Sequence, residues 1–209
     1  MRVTEIREFD KKRSEVRTDE ALRFVIYRPE IRKYELAEGE EITQETLDEI
    51  LKELLPKRAK LRAMNLLKAR DYTEARLREK LTEGGYPDPV VEEAIDYVKS
   101  YHYVDDARYT GDFIRSRMQR ASRRKITADL MQRGIDPELI EQTMEELYSD
   151  GLLACEDPEI SQIRHYMTKK HFDPETATYE DRQKFMASMA RKGFSSDSIR
   201  SAINSIETE

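Results

Sequence analysis

The sequence contains no tryptophan, a single cysteine, seven glycines and seven prolines among 209 residues, and no long apolar run. Each scarcity excludes something. A lone Cys155 closes no intrachain disulfide and supplies too few thiolates for a three- or four-thiolate zinc site. Its acidic surroundings raise a thiol's pKa instead of activating it, so no catalytic role is assigned to it. Phe24 to Tyr27 is about as long as any apolar stretch becomes, far short of the roughly 20 residues of a bilayer-spanning helix. The opening residues Met1, Arg2, Val3, Thr4 and Glu5 carry no apolar signal-peptide segment. These features predict a cytoplasmic protein with no membrane contact and no structural metal. Hydrophobic and charged residues each make up 38% of the chain, and that low apolar share argues for thin, modular cores over one thick core.

What glycine and proline there is falls between apolar-periodic segments, as punctuation between helices. Asp88-Pro89, Asp136-Pro137, Asp157-Pro158 and Asp173-Pro174 each put a capping carboxylate ahead of a residue suited to a first helical turn, and at least three are read as helix starts. Leu81-x3-Gly85, Leu130-x3-Gly134 and Met189-x3-Gly193 are followed at once by Tyr86, Ile135 and Phe194. Val91, Ile140 and Ile199 stand six residues after the glycines, and Ile95, Met144 and Ile203 ten after, without gaps. A helix that ends in glycine, with an apolar residue folding back on it, is a Schellman stop. Three tandem three-helix repeats follow. Their helices are expected near Lys57 to Arg70, Thr73 to Glu83 and Pro89 to Ser100; Asp106 to Gln119, Lys125 to Arg133 and Pro137 to Tyr148; and Pro158 to Lys170, Tyr179 to Lys192 and Ser196 to Ile206.

The first 55 residues differ. Lys12 to Thr18 and Ala21 to Tyr27 favour β-branched or alternating residues, predicting a small β element. Thr43 caps a short helix ending near Leu55, and Pro56 closes the module. The expected fold is mainly α, with three tandem three-helix repeats forming an elongated curved arm behind a small β-containing module. The divisions fall at 1–55, 56–104, 105–152 and 153–209.

The net charge of −6 conceals segregation. Residues 107 to 134 hold eight basic residues against Asp112 and Asp129, whereas residues 135 to 160 hold nine acids and no base. Arg115, Arg117, Arg120, Arg123, Arg124 and Lys125 span one helix end and the next helix start, so several cations can converge to take phosphates or an acidic protein surface. The plainer alternative is a solvated face with some helix-dipole benefit for Arg117 and Arg120.

Catalytic patterns are lacking. There is no GxxxxGK[ST] loop, GxGxxG turn or GxSxG elbow, so no enzyme is expected. Asp105-Asp106 reads as a helix cap in preference to a metal-binding pair, and His102, His165 and His171 read as surface or packing residues. Tyr101, Tyr103, Met64, Met118, Met131, Met144 and Met189 are read as core.

The three Leu-x3-Gly units resemble the RecX family of recombination regulators. The most specific stretch is Val104-Asp105-Asp106-x-Arg108-Tyr109. Ala63-x2-Leu66-Leu67-x2-Arg70-x2-Thr73-x2-Arg76-Leu77-x3-Leu81 and Ile126-x3-Leu130-x3-Gly134-Ile135 are similar too, and the likeness covers residues 57 to 206. Tyr34-Glu35-Leu36-x2-Gly39 resembles an N-terminal extension found in family members. Ala121-Ser122 stands where members often have glycine, and Met189 replaces the leucine. The resemblance implies a monomeric protein without catalytic residues or cofactor. It would bind RecA and lie along the groove of RecA filaments on single-stranded DNA, with auxiliary affinity for DNA itself. It would restrain RecA, lowering ATP hydrolysis, strand exchange and repressor cleavage. Arg108, Arg117, Arg124 and Lys125 match the pattern as contact residues, with Arg76 in the first repeat. Two other classes stay open: a direct DNA-binding regulator built on helix-turn-helix-like pairs, and a helical scaffold for an unrelated protein.

Overall fold

The computed structural model describes residues 1–118, 120–149 and 157–204, so Cys155 and part of the acidic 135–160 segment lie outside the described residues. The chain forms two compact units, Met1–Asp105 and Asp106–Glu209.

In the first unit, β1 (Val3–Glu8), β2 (Arg13–Thr18) and β3 (Arg23–Tyr27) make an antiparallel sheet in sequential order. β2 and β3 are the segments expected from the sequence; β1 is an addition. α1 (Arg28–Lys33) opens with the Tyr27 amide donating to the Glu30 carboxylate at 2.9 Å. α2 (Gln44–Asp48) is capped by Thr43, whose hydroxyl accepts from the Thr46 amide. Pro56 does not close the module. From α2 the chain runs through a π-helical turn, Glu49–Leu54, directly into α3 (Leu55–Ala69). The Leu55 amide reaches back to the Ile50 carbonyl, five residues away. That wider turn immediately precedes Pro56, whose ring otherwise collides with the carbonyl four residues back and which has no N–H to place.

α4 (Glu74–Thr82) and α5 (Asp88–Ser100) complete the first repeat. One apolar core joins Val16, Phe24 and Ile26 of the sheet to Ile50, Leu55, Ala59, Ala63, Leu77, Leu81 and Ile95. Polar contacts fix the attachment. The Val25 amide donates to the Gly85 carbonyl at 3.1 Å, and Arg13 donates to the Gly84 carbonyl at 3.1 Å. The Arg58 guanidinium forks onto Glu30 and lies 4.7 Å over the Tyr27 ring. Burial pushes the Glu30 carboxyl up, but Arg58 and the Tyr27 amide outweigh it and hold the group below its ordinary range.

The second unit comprises α6 (Asp106–Arg117), α7 (Arg123–Met131), α8 (Pro137–Ser149), α9 (Pro158–Lys169), α10 (Tyr179–Arg191) and α11 (Ser196–Asn204). Ile114, Ile126, Leu130, Ile140 and Met144 form one small core. Ile163, Met167, Phe185, Met189, Ile199 and Ile203 form another.

The glycine stops have Schellman geometry. Gly85, Gly134 and Gly193 have φ of +84°, +79° and +90°. The amides of Tyr86, Ile135 and Phe194 reach back to the carbonyls of Leu81, Leu130 and Met189. Two histidines take the same role without being glycine. His102 and His171, at φ +55° and +51°, close α5 and α9, with Tyr103 and Phe172 donating to Val98 and Met167. Three of the four Asp-Pro pairs stand at helix starts; Asp173-Pro174 instead builds a turn in which Asp173 accepts the Glu175 amide. α6 begins at Asp106, directly after Asp105.

Three core assignments from the sequence are corrected. Tyr101 and Tyr103 are 57% and 46% exposed and stack on each other at 5.9 Å, with Tyr97 next in the row at 5.0 Å from Tyr101. α5 ends at Ser100, so neither ring continues the buried stripe of Val91, Ile95 and Val98. Met131 is 50% exposed because it sits about 100° around α7 from its buried neighbour Leu130.

The two cores of the second unit meet through polar groups. Ser122 caps α7 by accepting the Lys125 amide and donates its hydroxyl to the Lys192 carbonyl at 3.1 Å. The buried Glu159 carboxylate accepts the Arg123 amide at 2.8 Å. Gln162 donates to the carbonyls of Met118 and Ala121. α7 begins with three cations at its positive dipole end, an unfavourable placement that Glu159 offsets. Glu159→Gln is therefore expected to cost about 1 kcal/mol in the second unit, measured by urea denaturation. An unchanged midpoint contradicts this role.

Gly39 and Gly85 share a φ of +84°, but a Cβ on Gly39 meets nothing within 4 Å whereas one on Gly85 overlaps Val25 Cγ2. Gly39→Ala is expected to cost about 1 kcal/mol for the left-handed backbone alone. Gly85→Ala, which must also push β3 away, is expected to cost about 3 kcal/mol or more. Equal losses in chemical denaturation refute the docking role given to Gly85.

Candidate protein and nucleic-acid interface

Seven of the eight basic residues singled out in the sequence belong to the second unit, where they fall on different sides of α6. Arg76 belongs to the first unit, on α4, ion-paired with Glu79 at 2.6 Å. Arg108 and Arg115 line a cleft of about 380 Å³ between α6 and α8, with Gly111, Leu139, Thr143 and Glu146. Arg115 also pairs with Asp112 at 3.3 Å, one turn earlier.

Arg117 lies about 200° around α6 from Arg115, and this turns it toward α7. There it meets Asp129 at 3.5 Å and covers the Phe113 ring at 4.5 Å. Lys125, in the first turn of α7, pairs with the same carboxylate at 2.6 Å. Arg133 donates to the Asp129 backbone carbonyl at 2.6 Å and lies 4.6 Å over Phe113. One residue and one ring thus gather three cations from α6, α7 and the turn after α7. The Asp129 side chain is only 13% exposed, whereas the Arg117 and Lys125 side chains are about half exposed. Water reaches the cations more than the anion that holds them.

Arg120, Arg123 and Arg124 extend this surface over the turn between α6 and α7 and the first residues of α7, and all three are exposed. Arg120 and Arg124 have no ion pair among the described residues, leaving their guanidinium donors to solvent or a partner. On α8, Glu138, Glu141 and Glu145 are exposed, so the second unit carries an acidic helix as well as a basic turn.

Sequence reasoning did not group Arg133 with Arg117 and Lys125, and it omitted Asp129 and Phe113 as the groups that gather them. The signal was present. Lys125, Asp129 and Arg133 are spaced i, i+4, i+8 on one helical face, and Phe113 precedes Arg117 by four.

The chain is a tandem series of three three-helix modules, and known proteins share that series. The first, second and third three-helix domains of RecX match residues 59–97, 105–144 and 157–203 in order. The chain is 31% identical over 170 residues to the Regulatory protein RecX of Caldanaerobacter subterraneus subsp. tengcongensis, covering 81% of each. It is 26% identical over 200 residues to that of Clostridioides difficile, covering 93% of this chain and 89% of the relative. The chain belongs to the RecX family. Its fold is shared with a crystal structure of regulatory protein RecX, at TM-score 0.60 and 19% identity over 95% of this chain and 97% of the other. It is shared also with RecX from Lactobacillus salivarius, at TM-score 0.61 and 20% identity over 74% of this chain and 98% of the other.

Proposed function

We propose that this chain regulates the RecA recombinase, binding RecA and its filament on single-stranded DNA and restraining it. The observation that carries the reading is the match of all three helical modules, in order, to the domains of a family whose curated relatives bear the name Regulatory protein RecX. It works by occupying surface, without chemistry of its own, as a monomer in the cytoplasm. Filament growth and ATP turnover then fall, and strand exchange and repressor cleavage fall with them.

The contacts assigned to the filament are Arg108, Arg115, Arg117, Arg120, Arg123, Arg124 and Lys125 in the second unit and Arg76 in the first. Arginine suits such a surface because its planar fork meets a carboxylate or a phosphate with two hydrogen bonds, so the same group serves a protein groove or a DNA backbone. Arg120 and Arg124, exposed and unpaired among the described residues, give up no internal ion pair on binding. Direct DNA binding is auxiliary in this reading. In a helix-turn-helix docking α8 is the helix presented after the Gly134 turn, and its exposed Glu138, Glu141 and Glu145 repel phosphates.

Arg117→Glu, Arg124→Glu and Lys125→Glu together are expected to lower filament affinity at least tenfold, with helicity by circular dichroism unchanged. All three side chains are exposed, and the circular dichroism control is needed because two of the new carboxylates stand beside Asp129. Wild-type affinity in the triple variant refutes the assignment of this surface.

A further inference from the structure

An acid stands at the centre of the basic surface. Asp129 holds Lys125 at 2.6 Å and Arg117 at 3.5 Å, and its backbone carbonyl takes Arg133 at 2.6 Å. We propose that Asp129 is a built-in damper on this surface, a carboxylate that occupies two of its cations and thereby suppresses binding to free phosphodiester chains. The inference rests on the assignment of the surface as a contact face, but it concerns what the face rejects.

Two effects of such a carboxylate oppose each other. Holding Arg117 and Lys125 in place reduces their freedom and so favours a ligand that needs them there. Neutralising part of their charge disfavours a polyanion. The first effect is small, because ion pairs made by half-exposed, flexible side chains fix geometry weakly. Arg117 and Arg133 have a second and independent restraint, the Phe113 ring at 4.5 and 4.6 Å. The second effect is larger. At the dielectric of water and low ionic strength, a unit negative charge about 4 Å from an approaching phosphate changes affinity by roughly fivefold. It also removes cations from the set that displaces counterions, which flattens the salt dependence. The charge effect wins, so Asp129 lowers affinity for naked nucleic acid. A protein partner is affected less, because it adds contacts beyond its anionic groups. Asp129 is in this sense a specificity-determining residue: it separates a partner that offers shape and apolar area from one that offers phosphates alone.

Asp129→Asn tests the proposal, since the amide keeps the side-chain shape and an acceptor for Lys125 while the backbone carbonyl still takes Arg133. The probe is a dye-labelled oligothymidine of about 30 nucleotides, read by fluorescence anisotropy across a salt series, with no RecA present. The variant is expected to bind about fivefold tighter than wild type at low salt. Its plot of log affinity against log salt is expected to steepen by about 0.7 for each additional phosphate that the freed cations neutralise. Adding Lys125→Gln should remove most of the tighter binding. Glu180→Gln, which removes the same charge from the exposed Glu180–Lys184 pair on α10, controls for net charge and is expected to change affinity less than twofold. Unchanged or weaker binding by Asp129→Asn overturns the proposal, as does an equal rise in affinity in Glu180→Gln. Absence of oligonucleotide binding by wild type and variant alike at low salt overturns it too, and leaves the RecA reading to its own test. Asp129→Ser, checked for folding by thermal melting, gives the same comparison if the amide variant does not fold.

Discussion

The left-handed residue at the end of a helix is the constraint from which most of this structure follows. At Gly85 it both stops α4 and brings a bare backbone against β3, where a side chain has no room and where the Val25 amide finds its acceptor. At Gly193 the same turn, closing α10, lies against the cap of α7, with a hypothetical Cβ only 2.8 Å from the Ser122 hydroxyl. A stop that is also a docking point lets short helices share small cores, because neighbouring elements approach to backbone contact instead of being held apart by side chains. A chain with only 38% hydrophobic residues needs this economy.

The stops were legible in the sequence because they depend on local chemistry. Glycine, the apolar residue after it and the Asp-Pro starts determine nearby dihedral angles whatever packs around them. β1 was not legible. Its apolar residues Val3 and Ile6 are three apart, which defeats a two-residue alternation, and the register shift between Val3 and Glu5 is what reconciles them with one sheet. The passage through Pro56 was hidden for a related reason: proline ends a regular ladder, and nothing local announces that the preceding turn is π-helical. His102 and His171 show that non-glycine residues also close helices here, at positions no glycine count could find.

Charge is organised by the same joints. Ser122 and Glu159 secure the start of α7 to the module that follows it, and this places Arg123, Arg124 and Lys125 on the outside of a well-capped turn. Reading the cations as a linear cluster did not sort them by the side of the helix on which each stands. Arg115 and Arg117 are two residues apart in sequence and on opposite sides of α6, one lining the α8 cleft and the other held by Asp129 and Phe113. Which arginines act together is set by helical phase and by the acids and rings between them.

RecA restraint by surface occupation is the central claim, and RecA ATP hydrolysis on single-stranded DNA tests it most directly. The chain is titrated from well below RecA up to an equal concentration, with binding to naked DNA followed alongside. The account predicts a fall in hydrolysis at substoichiometric amounts, at concentrations where naked DNA is not coated. Unchanged hydrolysis across the titration, or a fall that only tracks the coating of DNA, contradicts it.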